Sequence, residues 1–520
     1  MNQPWLKRAS ALLMSAAMAA SILPTGALAA AEAQADADAA ASSAYAESAD
    51  SAQNNSTSAD SNAAGADTAA APADGDAAQN GSGSGENQTA SESVTQESGE
   101  QTEAVDAPAE PESFGGLWLT EINPNDYDGY NKGKYGLTKA EDLFEYVELL
   151  NNSDQVIHFN QDYELLYNDT AISARELDGS EDVVLQPGET LVLWNQRTNV
   201  ENTATAEDFR VRYYISDDVH IAVTDHGQNW ATAGTFALRA KSTGTVFSDY
   251  TYSNGAIDKT DSGDIADGLV VDLAIPDVGT SMTAARKKTF ASPGYVYADQ
   301  RGDGTKPENT SGLYVTEIYP NDGDRSAAYG VSDDLMEFVE VTNTTGQDIR
   351  FNQDYQFQYL YKNQGARLAI CTYEDAHREA LGEVGIDDLY DKDDVVIKAG
   401  SSAVFWCYRE RSLKDSFQNG TAFPDEAAFR AAYGIGDDVD VYCMIGQNGM
   451  KNTDRGAAIT RQKDGRQVMV SYYYYNGVTD TKDKKSVNLT PSAEGPRMTA
   501  SAVQQSPTPG GTNGSQFSFP

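Results

Sequence analysis

The chain is written twice, and that repeat limits its fold more than any other feature. GLWLTEINPND at 116–126 returns as GLYVTEIYPND at 312–322, and DLFEYVELLNNSDQVIHFNQDY at 142–163 returns as DLMEFVEVTNTTGQDIRFNQDY at 334–355. DVVLQPGETLVLW at 182–194 answers to DVVIKAGSSAVFW at 394–406, and DFRVRYYISDDVHI at 208–221 to AFRAAYGIGDDVDV at 428–441. The ends agree as well, SMTAARKKTFASPG with RMTASAVQQSPTPG. Self-similarity over this span means two copies of one unit. The copies run over 112–298 and 309–514, each long enough for its own core. The polar segment ADQRGDGTKPENTS joins them, with residues 299–308 as the linker and 515–520 as a tail.

Within each copy the pattern predicts an all-β fold. GLWLTEI, FEYVELL, YELLY, TLVLW, TFALRA and VFSDYTY are short runs rich in β-branched and aromatic residues. Asn, Asp, Gly and Pro clusters separate them. In LFEYVELL both faces carry mixed residues, which predicts a sandwich strand with a partly covered outer face. Pro187-Gly188 predicts a turn, and the second copy keeps only the glycine, Gly400. One short helix is expected per copy. Thr205 is the N-cap of the first, with Asp208 three residues on. The second has Pro424 and acids in its first turn and Gly434 at its end. FNQDY, at 159–163 and 351–355, reads as a tight turn between neighbouring strands. Its asparagines and aspartates suit side-chain-to-backbone bonds.

Residues 1–29 read as an export signal: Lys7 and Arg8, a short apolar run, then Ala27-Leu28-Ala29 as the cleavage site. Residues 30–111 contain no Lys or Arg and few large apolar groups. Such a segment buries too little to offset its ordering entropy, so a disordered acidic leader is expected. No second long apolar run follows, so a soluble, extracellular chain without a membrane span is expected. The formal net charge of −42 repels phosphate backbones and disfavours direct nucleic-acid binding.

The order of these motifs resembles the lamin-tail domain. The shared elements are a strand ending in TEI-x-P, an acidic strand of the form EFVEVTN, a short strand and tight turn, an L-x-PG-x-x-L-V-L segment and a closing PG. The resemblance spans both copies, with extra length around the helices. It implies two tandem immunoglobulin-like β-sandwiches with short helical insertions, and no catalytic residues to carry over. Similar bacterial domains stand on secreted proteins, often beside a metallophosphoesterase or nuclease domain or other adhesion-type modules.

The four histidines, His158, His220, His226 and His377, form no H-E-x-x-H or H-x-H pattern. His158 aligns with Arg350 and His220 with Asp440, so neither recurs. No G-x-S-x-G or P-loop occurs. Glu121, Glu145 and Glu148 recur as Glu317, Glu337 and Glu340. Glu145 and Glu148 point to opposite strand faces, so Glu121 can pair with only one of them. A role as acceptors for backbone N–H or Arg donors is expected. Acidic loops at 123–129, 258–268, 319–325 and 390–396 supply hard oxygen ligands without the register of a calcium loop. Cys371, Cys407 and Cys443 are too few for a disulfide framework, though one bridge among them stays open. Arg301-Gly302-Asp303 is read as linker. Of Tyr472–Tyr475, two are expected inward and two outward, where they either stack on sugar rings or pack on a neighbour.

No catalytic, cofactor-binding or metal-ligating residue is assigned, and no cofactor is expected beyond calcium in the acidic loops. The expected function is a secreted, non-catalytic interaction or adhesion protein that binds protein or glycan. The alternative is an accessory region of a secreted metallophosphoesterase or nuclease whose catalytic domain lies outside this chain. The tail NGSQFSFP shows no sorting motif or anchor.

Overall fold

In the computed structural model the described residues are 116–511, apart from 128–130, 133, 136, 138–140, 198–202, 256–261, 277–278, 302–311, 323–324, 330–333, 420–421, 448, 464, 483 and 492–494. The export signal, the leader, the tail and most of the 299–308 linker lie outside them.

The first copy contains β1 (Leu117–Asn123), β2 (Tyr146–Asn151), β3 (Ile157–His158), α1 (Phe159–Asp162), β4 (Tyr163–Tyr167), β5 (Thr170–Ile172), β6 (Ala174–Glu176), β7 (Val184–Leu185), β8 (Thr190–Trp194), α2 (Ala206–Tyr213), β9 (His220–Thr224), β10 (Ala233–Ala240), β11 (Val246–Ser253), β12 (Val270–Ala274) and β13 (Thr283–Thr289), and α3 (Ala298–Arg301) runs from its end into the segment read as linker. The second contains β14 (Leu313–Tyr319), β15 (Phe338–Asn343), β16 (Ile349–Arg350), α4 (Phe351–Asp354), β17 (Tyr355–Tyr361), β18 (Gln364–Cys371), α5 (Tyr373–Ala380), β19 (Val396–Ile397), β20 (Ser402–Cys407), α6 (Glu410–Asn419), α7 (Glu426–Tyr433), β21 (Asp440–Ile445), β22 (Arg455–Lys463), β23 (Arg466–Tyr475), β24 (Ser486–Thr490) and β25 (Thr499–Gln505). The chain is all-β, with few helices.

In the first copy a seven-stranded sheet, β13-β12-β1-β2-β8-β9-β6, faces a four-stranded sheet, β11-β10-β4-β5. Leu119, Val147, Leu149, Leu191, Phe236 and Leu238 fill the space between them. The second copy repeats this order as one ten-stranded sheet, because β18 runs unbroken where β5 and β6 are separate strands. One end of β18 pairs with β17 and the other with β21, carrying it from one layer to the next. Within both large sheets one pair is parallel, β8–β9 and β20–β21, and α2 and α7 lie on the crossovers. A parallel pair needs such a long connection.

β2 is buried along its whole length. The partly covered outer face expected from the sequence is in fact closed, because Phe209 and Tyr213 of α2 pack on Tyr146 and Trp194. The helix begins where expected. Thr205 accepts from Asp208 N, and Asp208 returns a bond to the Thr205 N–H. In α7 the cap is Asp425, one residue past Pro424, and Gly434 ends the helix at φ 69°. Besides the short FNQD turn α4, the second copy holds two helices beyond the single one expected, α5 and α6. The start of α5 was legible in Thr372, whose side chain accepts from Asp375 N.

FNQDY is a single helical turn linking layers, not a tight turn between paired neighbours. β3 pairs with β7 in a small separate sheet, whereas β4 joins the four-stranded one. Phe159 and Phe351 are fully buried anchors. Asn160 donates to Ala174 O and Asn352 to Ile370 O, tying the turn to β6 in the first copy and β18 in the second. The motif is duplicated scaffold.

Candidate functional site: the cleft where the copies meet

The two copies belong to one compact unit and share an apolar cluster. Ala266, Leu269 and Phe290 of the first copy pack on Leu360, Ala458, Met469, Tyr472 and Tyr474 of the second. Phe290 lies 5.5 Å from Tyr472, ring to ring, and 6.2 Å from Tyr474. Strand alternation explains the choice of residues. Tyr475 and Tyr473 point into the second copy's own core, which turns Tyr472 and Tyr474 outward onto the first copy. The outward tyrosines are therefore covered by a neighbour and do not present a sugar-stacking face. Burial of each large apolar side chain contributes about 1.5–3 kcal/mol.

The equivalent positions explain why this packing occurs once. Ser248 and Ser471 hold the same place, accepting from Leu119 N and Val315 N. Counting from them, Asp249 and Thr251 stand where the second copy has Tyr472 and Tyr474. On the other side, Leu269 and Phe290 correspond to Lys485 and Ser506. Each apolar face exists in only one copy.

Charged pairs frame the cluster. Arg497 donates to Asp272 and, at 3.0 Å, to Asp299, and its guanidinium sits 3.5 Å above the Tyr297 ring. Asp272 and Arg497 correspond to Asn488 and Ser281 of the opposite copy, so the ion pair also arises from differences between the repeats. Elsewhere, Asn363 donates to Asp126 at 2.8 Å and accepts from Arg212, which bonds Asp126 at 3.0 Å. Burial raises the pKa of Asp126, but Arg212 and the amides of Asn131 and Asn363 outweigh it, leaving the carboxyl below its usual range.

Beside the apolar cluster the seam opens into a cleft of about 370 Å³. Its floor is the outward face of β17, β22 and β23 and the start of β18. Gln356, Gln358, Gln364, Gln462 and Gln467 reach it, opposite Val211, Arg212 and Tyr214 at the end of α2. The amides form short chains. Gln358 donates to Gln356 at 3.2 Å, Gln467 donates to Gln462 at 2.7 Å, and Thr460 donates to Gln467 at 2.9 Å. Gln364 Nε2 is shielded from solvent and has no hydrogen-bond partner among the described residues. Arg466 at the rim bonds Glu207 at 3.0 Å and Asp217 at 2.7 Å.

Tyr214 shapes the wall. It caps α2 in the left-handed region, at φ 55°, where the second copy has Gly434. An L-residue there costs roughly 1–2 kcal/mol. Contacts across the seam offset that cost: its carbonyl accepts from Met469 N at 2.9 Å and its hydroxyl donates to Gly365 O at 3.3 Å. A Cβ on Gly365 would lie 2.5 Å from the Tyr214 hydroxyl, so a larger residue there would push that ring aside. The sequence reading missed this site. The signal was present in the pairs where the repeats differ, Tyr214 against Gly434 and Gln356 and Gln358 against Glu164 and Leu166.

The recurrent glutamates lie elsewhere, in the interior. Glu121 faces Glu148 across β1 and β2, and Glu317 faces Glu340 across β14 and β15. Each pair clamps the closing segment of its copy. Glu121 accepts from Ser292 N at 3.2 Å, and Glu148 from Gly294 N at 2.5 Å and Thr120 Oγ1 at 2.6 Å. Glu317 accepts from Thr508 N at 3.0 Å, and Glu340 from Gly510 N at 2.6 Å and Thr316 Oγ1 at 2.8 Å. Glu145 and Glu337 accept from Trp230 N and Met450 N in matching loops. Burial pushes Glu148 up to about 8, and Glu317 and Glu340 to about 7. Burial and the nearby Asp272 and Glu148 push Glu121 well above the usual carboxylate range.

The other sequence candidates are dispersed. His158 meets Asp182 at 2.9 Å on the surface, and His220 bridges Glu176 and Glu189 at 3.0 Å each. His226 lies against Tyr167 and Trp230, and His377 near the Tyr408 hydroxyl. In the acidic loops Asp126 and Asp322 are buried, and Asp322 accepts from Met336 N at 2.6 Å. Asp264 pairs with Lys287, Asp391 with Arg367, and Asp393 with Arg350. Among the described residues, no group of three or more His, Cys, Asp or Glu side chains is placed to hold a metal ion. All three cysteines are free and buried. Arg301 is buried in α3 and donates to Val296 O, while Gly302 and Asp303 lie outside the described residues. Among the described residues no helix is long and apolar enough to cross a membrane.

No protein-family model matches the chain, and no curated protein matches it.

Proposed function

We propose that the chain is a secreted, non-catalytic interaction protein built from two lamin-tail-like, immunoglobulin-like β-sandwich modules, binding protein or glycan outside the cell. The observation that carries this reading is the contrast between the two sets of polar groups. The carboxylates that recur in both copies, which are the natural acid–base candidates, face inward and accept main-chain N–H groups. The open polar cleft at the seam is floored by amides that are poor acids, bases and nucleophiles. The family assignment is supported by the strand order and the closing Pro-Gly clamp, both present twice. The test is a turnover assay on the purified chain with bis(p-nitrophenyl) phosphate, with magnesium, manganese or zinc added. No turnover is expected. Metal-dependent hydrolysis that co-purifies with the chain would overturn the reading in favour of a phosphoesterase.

A further inference from the structure

The seam cleft is lined by residues of both copies, and its lining selects a class of ligand. We propose that it binds a short stretch of a neutral, hydroxyl-rich oligosaccharide. The proposal rests on the interaction reading above and gives that reading a ligand class and a site.

The floor matches hydroxyl chemistry. Each glutamine amide offers both an acceptor and donors, as each sugar hydroxyl does. Gln358 is only 4% exposed and already chained to Gln356, so the floor is preorganised. Gln364 Nε2 is a buried donor with no partner among the described residues, an arrangement that is unfavourable until an acceptor meets it. The Gln364 side chain lines the cleft, and a rotation of its amide would bring that donor to a ligand oxygen there.

The wall suits the other face of a sugar. Val211 is 39% exposed and lies beside Tyr214, giving an apolar side opposite the amides. A pyranose has the same division, with C–H groups on a face and hydroxyls on its rim. Tyr214 keeps its strained backbone where the other copy uses glycine, and it places this wall. Strain of that kind persists where surrounding contacts over-determine it.

Charge argues against the competing ligands. Arg466 is matched by Glu207 and Asp217, and Arg212 by Asp126, so an anion meets no unmatched cation here. The net charge of −42 adds long-range repulsion toward sulfated or phosphorylated polymers. The volume of about 370 Å³ falls within the usual small-ligand range of about 300–1,000 Å³. A protein partner usually covers about 800 Å² on each side, much more than a concave cleft of this size presents.

The experiment uses the full exported chain on an array of chitotriose, cellotriose and maltotriose beside sialylated and sulfated glycans, followed by saturation-transfer NMR with any sugar retained. Retention of at least one neutral oligosaccharide is expected, without retention of the acidic set. Affinity should fall about tenfold or more in Gln364→Leu/Gln467→Leu, and also in Val211→Glu, in variants that circular dichroism shows to be folded. Binding that survives both variants would overturn the assignment to the seam while leaving the interaction reading in place. Failure to retain any neutral sugar would overturn the ligand class. Cleavage of a bound oligosaccharide would overturn the non-catalytic reading itself.

Discussion

At the scale of single residues, the clamped glutamates make stability depend on pH in an unusual direction. A carboxyl in an unfolded chain titrates near 4.3. Glu317 and Glu340 are pushed by burial to about 7 in the fold, and Glu148 to about 8. The folded state therefore holds protons that the unfolded state has released. That contribution is complete below the unfolded value and is lost as pH rises through the folded values. The melting temperature is expected to fall between about pH 5 and pH 8. Glu340→Gln copies the protonated acid and keeps an acceptor for Gly510 N. It should flatten the dependence, melting near wild type at the acid end and above it at the alkaline end. Calorimetry across that range is the check, and a wild-type curve that rises with pH would contradict the assigned protonation.

At the scale of elements, α2 shows how local rules and tertiary contacts divide the work. Its start is fixed by the Thr205–Asp208 capping box and its buried face by Phe209 and Tyr213. Its end breaks the local rule, since Tyr214 stands at a position that glycine would fill without strain. Tyr214→Gly should relieve roughly 1–2 kcal/mol locally. It also removes a large packed side chain, a loss worth about 3–5 kcal/mol in comparable aromatic truncations. The packing term is the larger, so a net loss of about 2 kcal/mol is expected in chemical denaturation. A stabilised variant would mean that the seam contacts of Tyr214 carry little energy. The strand β23 follows the same division: alternation sends two tyrosines each way, and only the first copy turns the outward pair into core.

At the scale of the whole molecule, the repeats are complementary as well as similar. Asp272 and Arg497 form a buried pair across the seam, where the opposite copy has Asn488 and Ser281. Breaking such a pair leaves an uncompensated charge and typically costs about 3–5 kcal/mol. Arg497→Ser is expected to destabilise by that order. Adding Asp272→Asn, which removes the stranded charge, should recover a large part of the loss. A double-mutant cycle on unfolding free energies measures the coupling; additive effects would mean that the pair contributes nothing specific to the seam. Lys485 and Ser506 replace Leu269 and Phe290 at the second copy's equivalent face, so that face lacks the apolar groups that form this seam.

The sequence by itself determined the repeat, the all-β class, most long strands, the Thr205 cap, and the Gly188 and Gly400 turns. Each follows from contacts close along the chain or from alternation, which a linear pattern records. It also indicated that the recurrent glutamates would accept backbone donors, since buried carboxylates need such partners. Tertiary structure alone decided which donors those are, because Ser292, Gly294, Thr508 and Gly510 reach them from the far end of each copy. It likewise decided that FNQDY links two layers, that Tyr472 and Tyr474 are covered, and that a cleft opens beside them. Those outcomes depend on which surfaces of two similar units meet. That choice is held in the small differences between the copies, and they acquire meaning only once the surfaces are brought together.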